Sequence, residues 1–114
     1  MKIIKNDNNI LLLLKGEEGV ELKANSVDAA FEKHVPNYEI KNDKIEVLVN
    51  HVMDPDHYIE WIMVDYGDKQ IIKEFNPGDE PKLTVDYEDG MTLYSYCNKH
   101  SLWMNDKVHK TMKI

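Results

Sequence analysis

Cysteine is almost missing from this chain: Cys97 is the only one among 114 residues, so no disulfide can form within the chain. Surplus positive charge is missing too. The formal net charge of -7 argues against a nucleic-acid partner, because phosphate binding needs clustered Lys and Arg. Long apolar runs are also lacking. The run Ile10 to Leu14 follows Lys2 and Lys5 as in an export signal. It falls far short of the roughly 20 residues that span a bilayer. It leads into Lys15-Gly16-Glu17-Glu18-Gly19 instead of a small-residue cleavage site, and therefore reads as a strand and turn. No membrane partner is expected. The expected location is the reducing cytoplasm, where a thiol stays available as a ligand or nucleophile. The chain contains no internal repeat, low-complexity tract or heptad pattern.

What remains is ordinary globular composition, with 42% hydrophobic and 31% charged residues. The length suits a single core. Asn9 to Leu14, Gly19 to Lys23, Lys44 to Asn50, Tyr58 to Tyr66, Lys69 to Phe75, Pro81 to Tyr87 and Met91 to Tyr96 are rich in β-branched, aromatic and aliphatic residues and read as strands. Turn signals separate them: Gly67-Asp68, Asn76-Pro77-Gly78-Asp79 and Glu88-Asp89-Gly90. Strand spacing of roughly 8 to 12 residues points to a sandwich or barrel. Alternation after His57 puts Ile59, Trp61 and Met63 on one face opposite Glu60. The single helical candidate is Val27 to Phe31, capped by Ser26 or Asn25.

The five histidines are His34, His51, His57, His100 and His109. His51 and His57 would share a face on a continuous strand, but Asp54-Pro55-Asp56 breaks it, so they flank a loop and converge from its ends. Cys97 and His100 lie at the end of an apolar strand, a common place for ligands on a rigid scaffold. His34 precedes Val35-Pro36, in a loop leading into the body of the fold. Singly, each has an ordinary account, a buried thiol or a surface imidazole. Together they form three clusters of imidazole and thiol, the donors that suit iron, copper and zinc. Structural zinc is saturated by four ligands, so a fifth favours a redox metal of larger coordination number. His109 stands apart and reads as a surface histidine.

Glu32-Lys33-His34-Val35-Pro36, His51-x-Met53-x-x-x-His57-x-Ile59-x-Trp61-Ile62 and Tyr96-Cys97-Asn98-x-His100-x-x-Trp103 resemble, in order, the three motifs of superoxide reductase, also called neelaredoxin and desulfoferrodoxin. The resemblance runs from about Val20 to Trp103. It implies an all-β, immunoglobulin-like seven-stranded β-sandwich over residues 26–114, with residues 1–25 as a short N-terminal extension. It also implies one non-haem iron, with His34, His51, His57 and His100 as equatorial nitrogens and Cys97 as the axial sulfur opposite an open site. His100 is expected to bind through the other ring nitrogen from the remaining three. The implied reaction is reduction of superoxide to hydrogen peroxide. Lys33 would attract the anion and order a proton-donating water, and Glu32 would ligate the oxidised iron when substrate is absent. A rubredoxin-like electron donor and a homo-oligomer, dimer or tetramer, are the expected partners.

Three departures stand out. Val52 replaces the usual Pro after His51, and Ser101 replaces the usual Gly after His100, which matters if that position needs positive φ. The four cysteines of the small second iron domain are absent, so residues 1–25 read as its remnant, keeping strands and a dimer contact. Two rival functions remain. A cupredoxin-like electron-transfer protein would use Cys97, His100 and Met104 but leave two histidines unexplained. A metal-free β-sandwich binding module would leave all five donors unexplained.

Overall fold

A computed structural model describes residues 34–109, Asn25, and the backbones of three N-terminal strands. Those strands are β1 (Lys2–Lys5), β2 (Leu11–Lys15) and β3 (Glu18–Glu21), which pair antiparallel in a sheet of their own. The remaining strands are β4 (Asn37–Lys41), β5 (Lys44–Leu48), β6 (Ile59–Asp65), β7 (Gln70–Glu74), β8 (Lys82–Asp86), β9 (Thr92–Cys97) and β10 (Ser101–Asn105). They form a four-stranded sheet, β10-β9-β6-β7, facing a three-stranded sheet, β4-β5-β8. The expected seven-stranded sandwich is therefore present. The helical candidate Val27 to Phe31 lies outside the described residues, and among those residues no helix is long and apolar enough to cross a membrane.

Local chemistry explains the hairpins. Asn42, at φ 57, and Asp43 form the two-residue link between β4 and β5, which needs left-handed backbone. Gly67, at φ 98, opens the Gly67-Asp68 turn, closed by the Tyr66 N–H donating to the Lys69 carbonyl at 2.9 Å. The Asp65 carboxylate accepts the Gly67 N–H at 2.8 Å and fixes the turn from inside.

Between the sheets, Ile45, Val47, Val49, Ile59, Ile62, Val64, Phe75, Met91, Leu93, Cys97 and Val108 form one core. Each fully buried aliphatic side chain there contributes about 1.5–3 kcal/mol. Strand β6 departs from simple alternation. A bulge between Ile59 and Trp61 reverses the parity, so Ile59 joins Ile62 and Val64 in the sandwich core. Trp61 and Met63 point to the opposite face, where they pack with Leu102, Tyr94 and Tyr96. The sequence reading of one shared face for Ile59, Trp61 and Met63 is thereby corrected: β6 is buried on both sides.

Two sandwich strands had no counterpart among the sequence segments. Strand β4 mixes half-buried Tyr38 and Ile40 with exposed Asn37, Glu39 and Lys41, too polar a pattern to read as a strand. Strand β10 begins immediately after the Cys97 to His100 turn, without a spacer.

Candidate metal centre

Three chain segments meet at one end of the sandwich. His34 stands just before β4, His51 and His57 lie in the loop from β5 to β6, and Cys97 and His100 bracket the turn from β9 to β10. The Asp54-Pro55-Asp56-His57 turn is closed at both ends: the Asp54 N–H donates to the His57 carbonyl at 3.0 Å and the His57 N–H to the Asp54 carbonyl at 3.2 Å. This folds the loop back and brings the His51 and His57 rings to 4.5 Å, as the strand-breaking Asp-Pro-Asp implied. The Met53 carbonyl accepts the Gly78 N–H at 2.8 Å, anchoring the loop to the neighbouring turn.

The four rings form a near-square. Successive centroid distances are 4.7 Å (His34 to His51), 4.5 Å (His51 to His57), 5.0 Å (His57 to His100) and 4.8 Å (His100 to His34). The His34 to His57 diagonal is 6.5 Å, close to the edge multiplied by the square root of two. Ligand atoms of all four rings and of Cys97 lie within 4.8 Å of one another. His34 Nε2 is 3.0 Å, and His57 Nε2 3.3 Å, from His100 Nδ1. A metal–nitrogen bond of about 2.1 Å places neighbouring ligands at a right angle about 3.0 Å apart, so these spacings fit one shared ion. Cys97 Sγ lies 3.7 Å from His51 Nε2 and 3.9 Å from His100 Nδ1, two opposite corners, as an axial sulfur would.

The nitrogens facing inward are Nε2 of His34, His51 and His57 and Nδ1 of His100, the division expected from the resemblance. For His51 the cause is visible: its Nδ1–H donates to the Val52 carbonyl at 2.5 Å, leaving Nε2 with the lone pair. Burial lowers the His51 pKa below the ordinary imidazole value, and His34, His57 and His100 add to this, against the raising effect of the Val52 bond. A neutral imidazole is the form that ligates.

Burial orients the centre. Cys97 is fully buried within the sandwich core and His34 is 3% exposed, whereas His51, His57 and His100 are half-buried. The sulfur thus approaches from the core, and the opposite axial direction leads away from it. Ser101, the first residue of β10, has φ 66, so the position after His100 does take the left-handed backbone that favours Gly.

Supporting residues were less legible. Asn98 ties the thiolate turn to the histidine loop: its Oδ1 accepts the Tyr58 N–H and its Nδ2 donates to the Asp56 carbonyl, both at 3.0 Å. Ser95 and Trp103 contact His34, and the β9-β10 register, which their spacing in sequence does not reveal, sets them opposite each other. Met104 lies on the other face of β10, paired with Tyr94 of the outer cluster, which removes it as an axial ligand of a cupredoxin-like site. His109 is exposed and outside the cluster. Glu32 and Lys33 lie outside the described residues.

Known proteins resemble this chain in sequence and fold. Residues 26–106 match the family model of desulfoferrodoxin. A desulfoferrodoxin of Clostridium acetobutylicum is 36% identical over 91% of this chain and 93% of its own length. A superoxide reductase of Pyrococcus horikoshii is 33% identical over 66% of this chain and 85% of its own. The crystal structure of the superoxide reductase from Treponema pallidum superposes with a TM-score of 0.70 at 25% identity, covering 92% of this chain and 99% of that one. With the fold, the order of the donors and this similarity in accord, the chain belongs to the desulfoferrodoxin family.

Proposed function

We propose that this protein is a superoxide reductase acting at a mononuclear non-haem iron held by His34, His51, His57, His100 and Cys97. Superoxide takes up one electron and two protons and leaves as hydrogen peroxide. The observation that carries this reading is the square of four imidazoles with a buried sulfur on its core side. Iron bound there cycles between ferrous and ferric forms and supplies the electron, with a thiolate that raises its electron density.

The chain's own residues set the rest. Ferrous iron and one thiolate would leave about one positive charge at the site, and Lys33, next to His34 in sequence, would add another. The overall charge of -7 opposes an anionic substrate only weakly, because salt screens it beyond about 8 Å. Lys33 would draw the anion in and order the proton-donating water, and Glu32 would ligate oxidised iron when substrate is absent. A rubredoxin-like protein supplies electrons. Val52, 54% exposed beside half-buried His51, offers it an apolar contact next to a ligand. The location is cytoplasmic.

Residues 1–25 are a remnant of the lost four-cysteine domain and hold a homo-oligomer, dimer or tetramer, together. Supporting this, among the described residues β1 to β3 pair with one another in a sheet of their own, and the central strand carries four consecutive leucines, Leu11 to Leu14. A protein starting at Ser26 that keeps the same assembly state refutes that role.

The test of function is iron quantification followed by stopped-flow mixing of reduced protein with superoxide. The expected result is one iron per chain, one peroxide per superoxide consumed, and no oxygen released. Oxygen release with half that peroxide indicates dismutation. Copper with intense visible absorption indicates an electron carrier.

A further inference from the structure

His34 lies outside the sandwich strands, three positions before β4. His51 and His57 lie in the loop from β5 to β6, and Cys97 and His100 bracket the turn from β9 to β10, the β9-β10 pair being hydrogen-bonded as a hairpin. Even so, His34 Nε2 is set 3.0 Å from His100 Nδ1, across a sequence separation of 66 residues. Something must hold it there.

Two residues do so. Ser95 on β9 and Trp103 on β10 are directly opposite each other in the register, on the inner face of the sheet. Ser95 is fully buried, and its hydroxyl donates to the His34 carbonyl at 2.6 Å. Trp103, 2% exposed, stacks on the His34 ring with centroids 4.9 Å apart and planes 26° from parallel. Its indole Nε1–H donates to the His100 carbonyl at 3.0 Å. One cross-strand pair thus grips His34 by backbone and ring, and steadies His100 by its carbonyl.

We propose that Ser95 and Trp103 are positioning residues that fix the ring plane of His34 and lock the His34–His100 corner of the square for the metal. A tryptophan that merely filled core volume would need neither the near-parallel stack on a ligand nor an N–H aimed at the carbonyl of the next one. The partners of metal-ligating histidines fix ring orientation, and their loss typically lowers metal affinity 10- to 100-fold. This inference rests on the reading of the five donors as a metal centre.

The test measures ferrous iron affinity by chelator competition, together with the thiolate-to-iron charge-transfer band of the oxidised protein and the urea midpoint of the metal-free protein. Trp103→Leu, which loses stack and N–H, is expected to lower iron affinity about tenfold or more and to shift the band. Trp103→Phe keeps a ring on His34 and is expected to recover most of that loss. Ser95→Ala removes one oxygen, leaves the fold intact and is expected to lower affinity in the same direction. If Trp103→Leu does not fold, Ser95→Ala decides. Wild-type affinity and an unshifted band in Ser95→Ala, with only a lower urea midpoint, overturn the proposal and leave the metal centre standing. A wild-type protein that takes up no iron overturns both.

Discussion

Replacing Ser101 by Gly is predicted to stabilise the metal-free protein. Ser101 holds φ 66 in the step from His100 into β10, where it pairs with Cys97. Left-handed backbone costs an L-residue roughly 1–2 kcal/mol, because Cβ crowds the following carbonyl oxygen. Glycine removes that cost but adds about 0.5–1 kcal/mol of unfolded-chain entropy. The expected net gain is about 0.5–1 kcal/mol, which at about 4–8 °C per kcal/mol for a body of this size is a rise in Tm of about 2–8 °C. The assay is calorimetry on metal-free protein, which separates backbone strain from stabilisation by bound metal. Two companions sharpen it. Ser101→Ala keeps Cβ and is expected to leave Tm nearly unchanged, whereas Ser101→Val, β-branched, is expected to lose more than about 1 kcal/mol. A Ser101→Gly protein no more stable than wild type, or a Ser101→Val protein equal to it, refutes the strain argument.

Asn98→Ala removes two hydrogen bonds that join the thiolate turn to the histidine loop. A loss of about 1–2 kcal/mol in urea denaturation is expected, at the low end per bond because Asn98 is exposed. Lys33→Ala is expected to slow the reaction with superoxide at low ionic strength and to flatten its salt dependence, measured by stopped flow; an unchanged rate at low salt removes Lys33 from substrate capture. Stripping iron with a chelator is expected to lower Tm while leaving the β-sheet circular dichroism intact, because the aliphatic core is continuous without the metal. Metal present at 100 times its Kd accounts for about 2.7 kcal/mol of that difference, and an unfolded metal-free chain contradicts it.

Patterns of strong local contrast were legible in the sequence. β5 to β9 follow apolar segments bounded by Gly, Pro and Asp turns, and the Asp54-Pro55-Asp56 break correctly turned the His51 and His57 pair into a loop. What escaped depended on neighbours. β4 is a strand because β5 supplies its hydrogen-bond partners, not because its own polar sequence demands it. The bulge at Glu60 left Ile59 facing the core and sent Trp61 and Met63 outward, a shift of parity that spacing alone cannot carry.

For the centre, the division is similar. The sequence by itself determined the donor chemistry: four imidazoles and one thiol in three clusters, with no second cysteine to divert Cys97 into a disulfide. Their order also matched the family's motifs. The family resemblance carried the expectation that His100 binds through the other ring nitrogen, but only the tertiary structure decided that the rings stand as a square and that the sulfur comes from the buried side. The reason is physical. Donor identity is a property of each side chain, whereas convergence to within 4.8 Å depends on a fold that brings together residues as far apart as 66 positions.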